Sequence, residues 1–297
     1  MMSSKKKVLI ITYYWPPAGG PGVQRWLKFS KYLRDYDIEP VIYTIDNPTY
    51  PILDSSSENE IPKGIEVLKQ PIFELNSILS FFGVHNKKES AGFLNPKPTL
   101  FGKMIQYIRA NFFIPDARKF WIQPSVKFLS NYLKNHKIDA IISTGPPHSV
   151  HLIGLKLKKQ LGIKWISDFR DPWTEIDYFK QLPLTKKATK KHLQLEREVL
   201  INSDMTIVVG ETMKQKYLKH TSSIEVITNG FDTIQNSLPQ KLDSNFSITH
   251  VGSMNSDRNP QILWDVLKEI CDSNSDFKND LRIKFIGKID DSVLQDV

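Results

Sequence analysis

The stretch that decides the fold lies close to the amino terminus and reads Lys7-Val8-Leu9-Ile10-Ile11-Thr12-Tyr13-Tyr14-Trp15-Pro16-Pro17-Ala18-Gly19-Gly20-Pro21-Gly22-Val23-Gln24-Arg25. Its apolar start has the composition of a buried β-strand, its Pro/Gly segment predicts a loop, and helical spacing of apolar residues begins at Val23. This order is typical of the first unit of a nucleotide-binding α/β domain. Because free N–H groups at the start of a helix attract anions, the segment predicts a ligand site.

The same alternation of strand and helix continues along the chain. An aromatic and basic segment, residues 72–123, interrupts it and is interpreted as inserted helices and loops. Strands that alternate with helices predict an α/β fold with a mostly parallel sheet covered on both faces. Further strands are predicted at 39–45, 65–69, 138–143, 164–167, 205–209 and 224–228, and helices at 125–135, 148–161, 185–202 and from 211.

A polar stretch, residues 233–245, is the best candidate for a linker. Residues 1–238 are therefore predicted to form one Rossmann-like domain. Residues 246–297 begin a second unit, with strands at 246–251 and 281–286 around a helix that Pro260 opens. About 52 residues cannot easily bury a full core, so we expect this unit to be the start of a larger domain and the chain to be a fragment.

Composition limits the class of protein. The 297 residues include a single cysteine, Cys271, which favours a reducing, cytoplasmic location. No apolar run approaches the roughly 20 residues that a membrane span needs. The net charge of +8 indicates an anionic partner or simply a lysine-rich surface. Nucleic acid is not favoured, because zinc-finger and RNP-type motifs are absent from the sequence.

Polar and charged side chains follow several predicted strands, where ligands bind in open α/β sheets. His148 follows one strand and the segment Asp168-Phe169-Arg170-Asp171-Pro172-Trp173 follows the next. Each has a plain structural alternative: His148 as a helix cap and the Asp–Arg–Asp cluster as a self-contained ion network. In the second unit, Arg258 next to a helix start is a good diphosphate contact, or part of an ordinary strand–helix loop.

The dinucleotide fingerprint is only partly present. Gly20 and Gly22 supply its first two glycines, but Arg25 stands at the third glycine position. Asp46 follows the second strand, where a ribose-binding acid would sit. An NAD-dependent oxidoreductase or epimerase therefore stays a secondary hypothesis for the function.

The order of these segments resembles the retaining glycosyltransferases of the GT-B fold, in particular family 4. The resemblance covers residues 6 to about 290 and rests on Pro17-Ala18-Gly19-Gly20, the Asp168–Trp173 segment, Asn229-Gly230-Phe231-Asp232, and Val251-Gly252-Ser253 with Arg258. It implies two Rossmann-like domains with mostly parallel sheets, an acceptor-binding domain first and a nucleotide-sugar-binding domain second, the latter truncated here. It implies a nucleotide-sugar as substrate and neither a metal nor another cofactor.

The resemblance also implies roles for individual residues. The implied catalytic residues are Asp168 and Asp171, those that bind the donor are Gly19, Gly20, Gly252, Ser253 and Arg258, and those that bind the acceptor are Arg25, His148, Arg170 and Trp173. Two departures matter. Ser253 stands where the family often has a second basic residue, and the later Glu-x7-Glu segment is not in this chain, so the chain alone is expected to be inactive.

The function that follows is the transfer of a sugar from a nucleotide-sugar to a glycan, lipid-linked or other acceptor. Configuration would be retained, in polysaccharide or cell-envelope glycan synthesis. The aromatic and basic segment 72–121 cradles the acceptor, touches the inner face of a membrane, or is core with solvated lysines. A non-catalytic module that binds sugar-nucleotides or glycans remains an alternative.

Overall fold

The computed structural model describes residues 5–48, 50, 52–72, 100–232 and 241–297. The chain divides into two compact units, Met1–Phe231 and Asp232–Val297. Most of the predicted linker and the first part of the predicted insertion, residues 73–99, lie outside the described residues. The assignment of the two units to acceptor and donor binding stays a prediction.

The first unit alternates strands and helices as the sequence predicts. Helix α1 begins at Pro21, two residues before the predicted start, because the fixed φ of proline suits the first turn of a helix. The described part of the predicted insertion holds α2 and a short 3₁₀ helix, Lys119–Trp121. The elements are β1 (Lys6–Thr12), α1 (Pro21–Tyr32), β2 (Ile38–Ile45), β3 (Glu66–Gln70), α2 (Leu100–Phe112), α3 (Ile122–Asn135), β4 (Ala140–Gly145), α4 (Ser149–Leu161), β5 (Lys164–Phe169), α5 (Lys186–Asn202), β6 (Met205–Val208), α6 (Glu211–Tyr217) and β7 (Ile224–Val226).

These strands form one 7-stranded sheet in the order β3-β2-β1-β4-β5-β6-β7. Every neighbouring pair is parallel, with Ile10 of β1 between Ile42 of β2 and Ile142 of β4. The connections change direction between β1 and β4, so the loops after these two strands diverge and leave a crevice at the carboxyl edge of the sheet. Most of the site residues predicted for the first unit lie in, or directly after, strands that end at this edge.

Both faces of the sheet are buried, which explains the near-continuous apolar runs of its central strands. Leu9 and Ile11 point to one face, against α3 and α4, and Ile10 points to the other, against α1. Trp165 of β5 is fully buried, and its indole nitrogen donates to Ser143 Oγ at 2.9 Å. The sheet is therefore a rigid base for the loops at its carboxyl edge.

Gly154 of α4 is required by the packing of Trp165. A Cβ atom at this position would lie 2.3 Å from Trp165 Nε1, and the fully buried indole has no room to move. We expect Gly154→Ala to lower the free energy of unfolding by about 1–3 kcal/mol, as overpacking does, despite the higher helix propensity of alanine. Urea denaturation measures this. Gly230→Ala, at a position with open space, is the control, and equal effects of the two variants would contradict the prediction.

The second unit contains the strands and the first helix that the sequence predicts. It comprises β8 (Ser247–Val251), α7 (Gln261–Ser273), α8 (Ser275–Asp280), β9 (Arg282–Ile286) and α9 (Asp291–Asp296). The two strands pair in parallel, and a small cluster around Trp264 and Leu267 forms the core. In the described residues of either unit, no helix is long and apolar enough to cross a membrane.

Candidate functional site

The candidate site lies at the carboxyl edge of the 7-stranded sheet. The segments after β1, β5 and β7 and the end of β4 meet there. Arg25 of α1 contacts Asp168 of β5 and Asn229 of the turn after β7, and Arg170 of the loop after β5 contacts Gly145 at the end of β4. The crevice between the loops after β1 and β4 follows from the change of direction of the connections at these two strands. Of the site residues predicted for the first unit, Gly19 and Gly20 lie in the loop after β1, Arg25 lies in α1 and Asp168 lies in β5. The others, His148, Arg170, Asp171 and Trp173, lie in the loops after β4 and β5.

Asp168, the last polar residue of β5, is fully buried and accepts four hydrogen bonds. Arg25 donates through Nε at 3.3 Å and Nη2 at 2.9 Å, Trp26 Nε1 donates at 2.7 Å, and Thr144 Oγ1 donates at 2.8 Å. A buried carboxylate is tolerated because a cation and neutral donors surround it. With both oxygens occupied, Asp168 organises the site, and the catalytic role predicted for it stays a prediction that this geometry does not favour.

Arg25 connects α1 to the turn after β7. It forms a buried ion pair with Asp168, and its Nη1 donates to Thr228 O and Asn229 Oδ1, both at 3.1 Å. Its guanidinium also lies 4.8 Å from the centre of the Phe29 ring. The predicted contact of Arg25 with an acceptor stays a prediction, and its observed role is to hold Asn229 next to the site.

The glycine loop after β1 is held by a neighbouring segment. Gly19 N donates to Ile52 O at 2.9 Å, and a Cβ atom on Gly19 would lie 2.8 Å from Ile52 Cγ2. Gly20, the residue before α1, has a φ of 98°, which disfavours other residues, and the space around it is open. Gly19 is thus explained by packing, whereas Gly20 exposes backbone at the start of α1.

Arg170 lies directly above the first turn of α1. A Cβ atom on Gly22 would lie 1.9 Å from Arg170 Nη1, so only glycine leaves room for the guanidinium. Arg170 Nε donates to Gly145 O at 3.2 Å, and Nη2 donates to Pro146 O. Within the described residues, Nη1 has no acceptor. Burial lowers the pKa of Arg170, and the carboxylates of Asp168 and Asp171 oppose this change.

The first turn of α1 contains no acidic residue, and among the residues that the structure describes no side chain caps it. The corresponding end of α4 differs, because Asp116 accepts hydrogen bonds there from Ser149 N at 2.8 Å and Ser149 Oγ at 2.7 Å. One helix start at this edge of the sheet is therefore filled by a carboxylate of the chain itself. The other has a cation beside it and is suited to an external anion.

His148 precedes α4 and stacks on Trp173, with ring centres 4.6 Å apart and planes 1° from parallel. Its Nδ1 is buried without a hydrogen-bond partner in the described residues. Burial, with smaller effects from His192 and Arg170, lowers the pKa of His148 to about 3, so the ring is neutral at pH 7. Trp173 is buried and donates through Nε1 to His192 Nδ1 at 3.0 Å. It thus reaches the site through His148, and the acceptor contact predicted for Trp173 stays a prediction.

His151 supports the loop after β4 from below. Trp165 Nε1 can only donate, so Ser143 Oγ accepts from it, and Ser143 Oγ and His151 Nδ1 are hydrogen-bonded to each other at 2.9 Å. His151 Nε2 is fully buried beneath Gly145 and has no hydrogen-bond partner in the described residues. Burial lowers the pKa of His151 well below its usual value, which keeps the ring neutral.

Asp171 is the acidic side chain of this cluster that reaches solvent. It is half-buried, and within the described residues it accepts no hydrogen bond and forms no ion pair. Burial raises its pKa, and Arg170 opposes this change. A carboxylate with free lone pairs beside a cation suits the hydroxyl groups of a sugar.

The predicted donor residues of the second unit lie in its own strand–helix loop. Gly252 has a φ of 128°, Ser253 is exposed, and exposed Arg258 ends a short 3₁₀ helix just before α7. In the described part of the chain, no side chain caps α7. The donor contacts of all three residues stay predictions. Among the described residues, no group of three or more His, Cys, Asp or Glu side chains is placed to hold a metal ion.

The buried histidines predict a loss of stability in acid. His148, His151 and His192 all have lowered pKa values, chiefly through burial. Below the ordinary value of 6.5 the unfolded chain binds protons that the folded chain does not, so stability falls as pH drops from about 6.5 toward 3. Each group contributes up to about 1.4 kcal/mol per pH unit. Urea denaturation at pH 7 and pH 5 measures the slope, which His148→Gln should reduce. An unchanged slope in that variant would contradict this account.

The structure brings Arg25, Asp168, Asn229, and the pair His148 and Trp173 to one edge of the sheet, together with Arg170 and Asp171. Sequence reasoning missed the hydrogen bonds of Trp26 and Thr144 to Asp168, and it assigned Gly22 only to the dinucleotide fingerprint, not to a position beneath Arg170. Trp26 belongs to the apolar spacing that begins at Val23, and nothing in that spacing signals that its indole nitrogen donates to a carboxylate.

Comparison with known proteins agrees with this architecture. Residues 92–235 match the family model for Glycosyltransferase Family 4. No curated protein matches the chain by sequence. The crystal structure of TarM has a TM-score of 0.56 at 11% identity, with 98% of this chain and 73% of TarM covered. The N-terminal domain of Candida albicans trehalose-6-phosphate phosphatase has a TM-score of 0.55 at 10% identity, with 99% of this chain and 67% of that chain covered.

At such low identity the structural likeness shows the fold alone. The matched family segment nevertheless contains all the predicted site residues of the first unit except Gly19, Gly20 and Arg25. The sheet order and the position of the polar loops agree with the resemblance drawn from the motifs. The chain has an α/β fold of the GT-B type and resembles the family 4 glycosyltransferases.

Proposed function

We propose that the chain is part of a glycosyltransferase that moves a sugar from a nucleotide-sugar to a glycan or lipid-linked acceptor with retention of configuration. The observation that carries this proposal is the position of the Arg170 guanidinium directly over Gly22, at the first turn of α1. A cation next to uncapped N–H groups is suited to phosphate or carboxylate. The family match supplies the reaction class.

Within this proposal, the neighbouring groups orient sugar hydroxyls. Asp171 would accept hydrogen bonds from a sugar, and neutral His148 would offer its Nε2. Asp168 and Arg25 would act as positioning residues, because their polar atoms are bonded to each other and to neighbouring segments. Gly20 would let a ligand approach the backbone closely.

The mechanism implied by the resemblance is front-face transfer, in which the departing diphosphate carries the developing negative charge. Arg258 and helix N-termini would stabilise this charge. Orientation of the donor and the acceptor would supply much of the remaining rate enhancement. The donor roles of Gly252, Ser253 and Arg258 rest on the resemblance, and the role in cell-envelope glycan synthesis rests on it as well.

The alternative hypothesis, an NAD-dependent oxidoreductase or epimerase, is less well supported. The sheet has the strand order of dinucleotide-binding domains, but the third glycine position of the fingerprint holds Arg25, whose side chain is fully engaged with Asp168 and the turn after β7. The small side chain that permits close packing of helix and strand is therefore missing.

A thermal-shift titration of the chain with UDP, GDP, ADP and NAD tests the proposal. One nucleoside diphosphate is expected to raise Tm, with a stabilisation of about 2.7 kcal/mol at a concentration 100 times Kd. The matching nucleotide-sugar should stabilise the chain further. Stabilisation by NAD alone would favour the oxidoreductase reading, and stabilisation by free glycans without any nucleotide would favour the binding module.

A further inference from the structure

We infer that the surface formed by α2 and the start of α5 docks on an anionic lipid bilayer. This inference is independent of the proposed glycosyltransferase function. It starts from the exposure of α2, because no residue of this helix is buried. Ile105 is partly buried, and six large apolar side chains are between 39% and 86% exposed: Leu100, Phe101, Met104, Tyr107, Ile108 and Phe112.

The start of α5 lies beside the end of α2. Asn111 of α2 donates through Nδ2 to Pro183 O at 2.8 Å and accepts from Thr185 N at 2.7 Å. Thr185 is the residue that caps α5. The apolar side chains of α2 and the first turns of α5 thus belong to one continuous surface, which we call the α2–α5 surface.

This surface carries positive charge without compensating acid. Lys103, Lys186, Lys187, Lys190 and Lys191 are exposed, and in the part of the chain that the structure describes none of them forms an ion pair. The sequence has no acidic residue between 100 and 115 or between 183 and 195. The nearby Asp116 is engaged with Ser149 at the start of α4.

Exposed aromatic and aliphatic side chains next to a lysine cluster have the composition of an interfacial membrane-binding surface. The apolar side chains would enter the boundary between headgroups and acyl chains, and the lysines would meet anionic phosphates. A second copy of the chain is a poor occupant, because pairing two such surfaces would bring the lysine clusters together.

The α2–α5 surface is also placed on the side of the candidate site. Helix α5 runs from the carboxyl edge of the sheet, after β5, to the opposite edge, where β6 begins. The lysines at its start therefore lie toward the edge that holds Arg170 and His148. Docking through this surface would bring that edge close to the lipid.

Flotation of the chain with lipid vesicles tests the inference. We expect binding to phosphatidylcholine vesicles that contain phosphatidylglycerol, little binding to pure phosphatidylcholine, and weaker binding at high salt. Lys186→Gln with Lys190→Gln should weaken binding by about 25-fold, at about fivefold for each lysine. The matched control is Lys134→Gln with Lys137→Gln, which removes the same charge from an exposed site at the end of α3 and should keep wild-type binding.

A second variant distinguishes membrane docking from two alternatives for the apolar side chains, which are burial within the folded chain and contact with a second copy. Phe101→Ser with Met104→Ser should abolish flotation while Tm and the elution volume in size exclusion stay unchanged. A lower Tm would mean that these side chains are covered within the folded chain, and a changed elution volume would mean that they contact a second copy. Either result, or equal binding to neutral and anionic vesicles, would overturn the inference.

Discussion

Replacing Asp168 with alanine is expected to lower the free energy of unfolding by about 3–5 kcal/mol, because it leaves the charge of Arg25 buried without its partner. The side chains of Arg25 and Asp168 are 1% and 0% exposed, so water cannot replace the lost contacts. Trp26 Nε1 and Thr144 Oγ1 would also lose their acceptor. Urea denaturation at pH 7 measures the loss.

The control is an exposed ion pair of the same unit. Lys214 and Glu225 lie 3.8 Å apart, and the Glu225 side chain is 65% exposed. Glu225→Ala should therefore change stability by less than about 1 kcal/mol. The double variant Arg25→Met with Asp168→Leu should be destabilised by less than the sum of its single variants, because it removes both charges together. Additive effects, or a loss for Asp168→Ala as small as for Glu225→Ala, would contradict the prediction.

The parallel sheet was predictable because each central strand is buried on both faces. An apolar run such as residues 8–12 carries this signal by itself, and Pro, Gly and polar clusters mark where each strand ends. The predicted start of the helix 185–202 lies within one residue of the observed start of α5, and Thr185 caps this helix. These features depend on local sequence, and local patterns are what sequence reasoning detects.

The hydrogen bonds and ion pairs within the site were not predictable from the sequence. Arg25 and Asp168 are 143 positions apart, and no local pattern announces that they form a buried pair. The sequence placed charged residues at strand ends and suggested an Asp–Arg–Asp network. In the structure Asp168 instead pairs with Arg25, and Arg170 binds the carbonyl groups of the loop after β4. Which cation joins which carboxylate is decided by the sheet order, and that order is known only once the fold is assembled.

The structure therefore separates residues that position the loops from candidates for ligand contact. Sequence analysis had given both groups roles in catalysis or ligand binding. Buried side chains with satisfied polar atoms, such as Asp168 and Trp173, hold the loops in place. Arg170 and Asp171 keep polar atoms without partners in the described residues and are the better candidates for ligand contact. Burial and hydrogen bonding separate these two groups, and neither quantity is visible in a motif.

Gly22→Ala is expected to weaken binding of a nucleoside diphosphate by about 10–150-fold, the value of a hydrogen bond to a charged group. The added methyl group would lie 1.9 Å from Arg170 Nη1, so the guanidinium must leave the first turn of α1. Since the displaced group is the end of a flexible side chain near the surface, the fold should persist and Tm should change little. Calorimetric titration with the nucleotide that stabilises the wild type measures the effect.

Two further variants make this expectation specific to Arg170. Arg170→Ala should weaken binding by a similar factor, and Gly22→Ala combined with Arg170→Ala should be no worse than either single variant, because both act through the same guanidinium. Gly210→Ala, at a glycine with open space around it, should bind as the wild type does. If the Gly22→Ala variant keeps full affinity although the guanidinium of Arg170 is displaced, the anion is bound elsewhere. The site assigned to the start of α1 is then wrong.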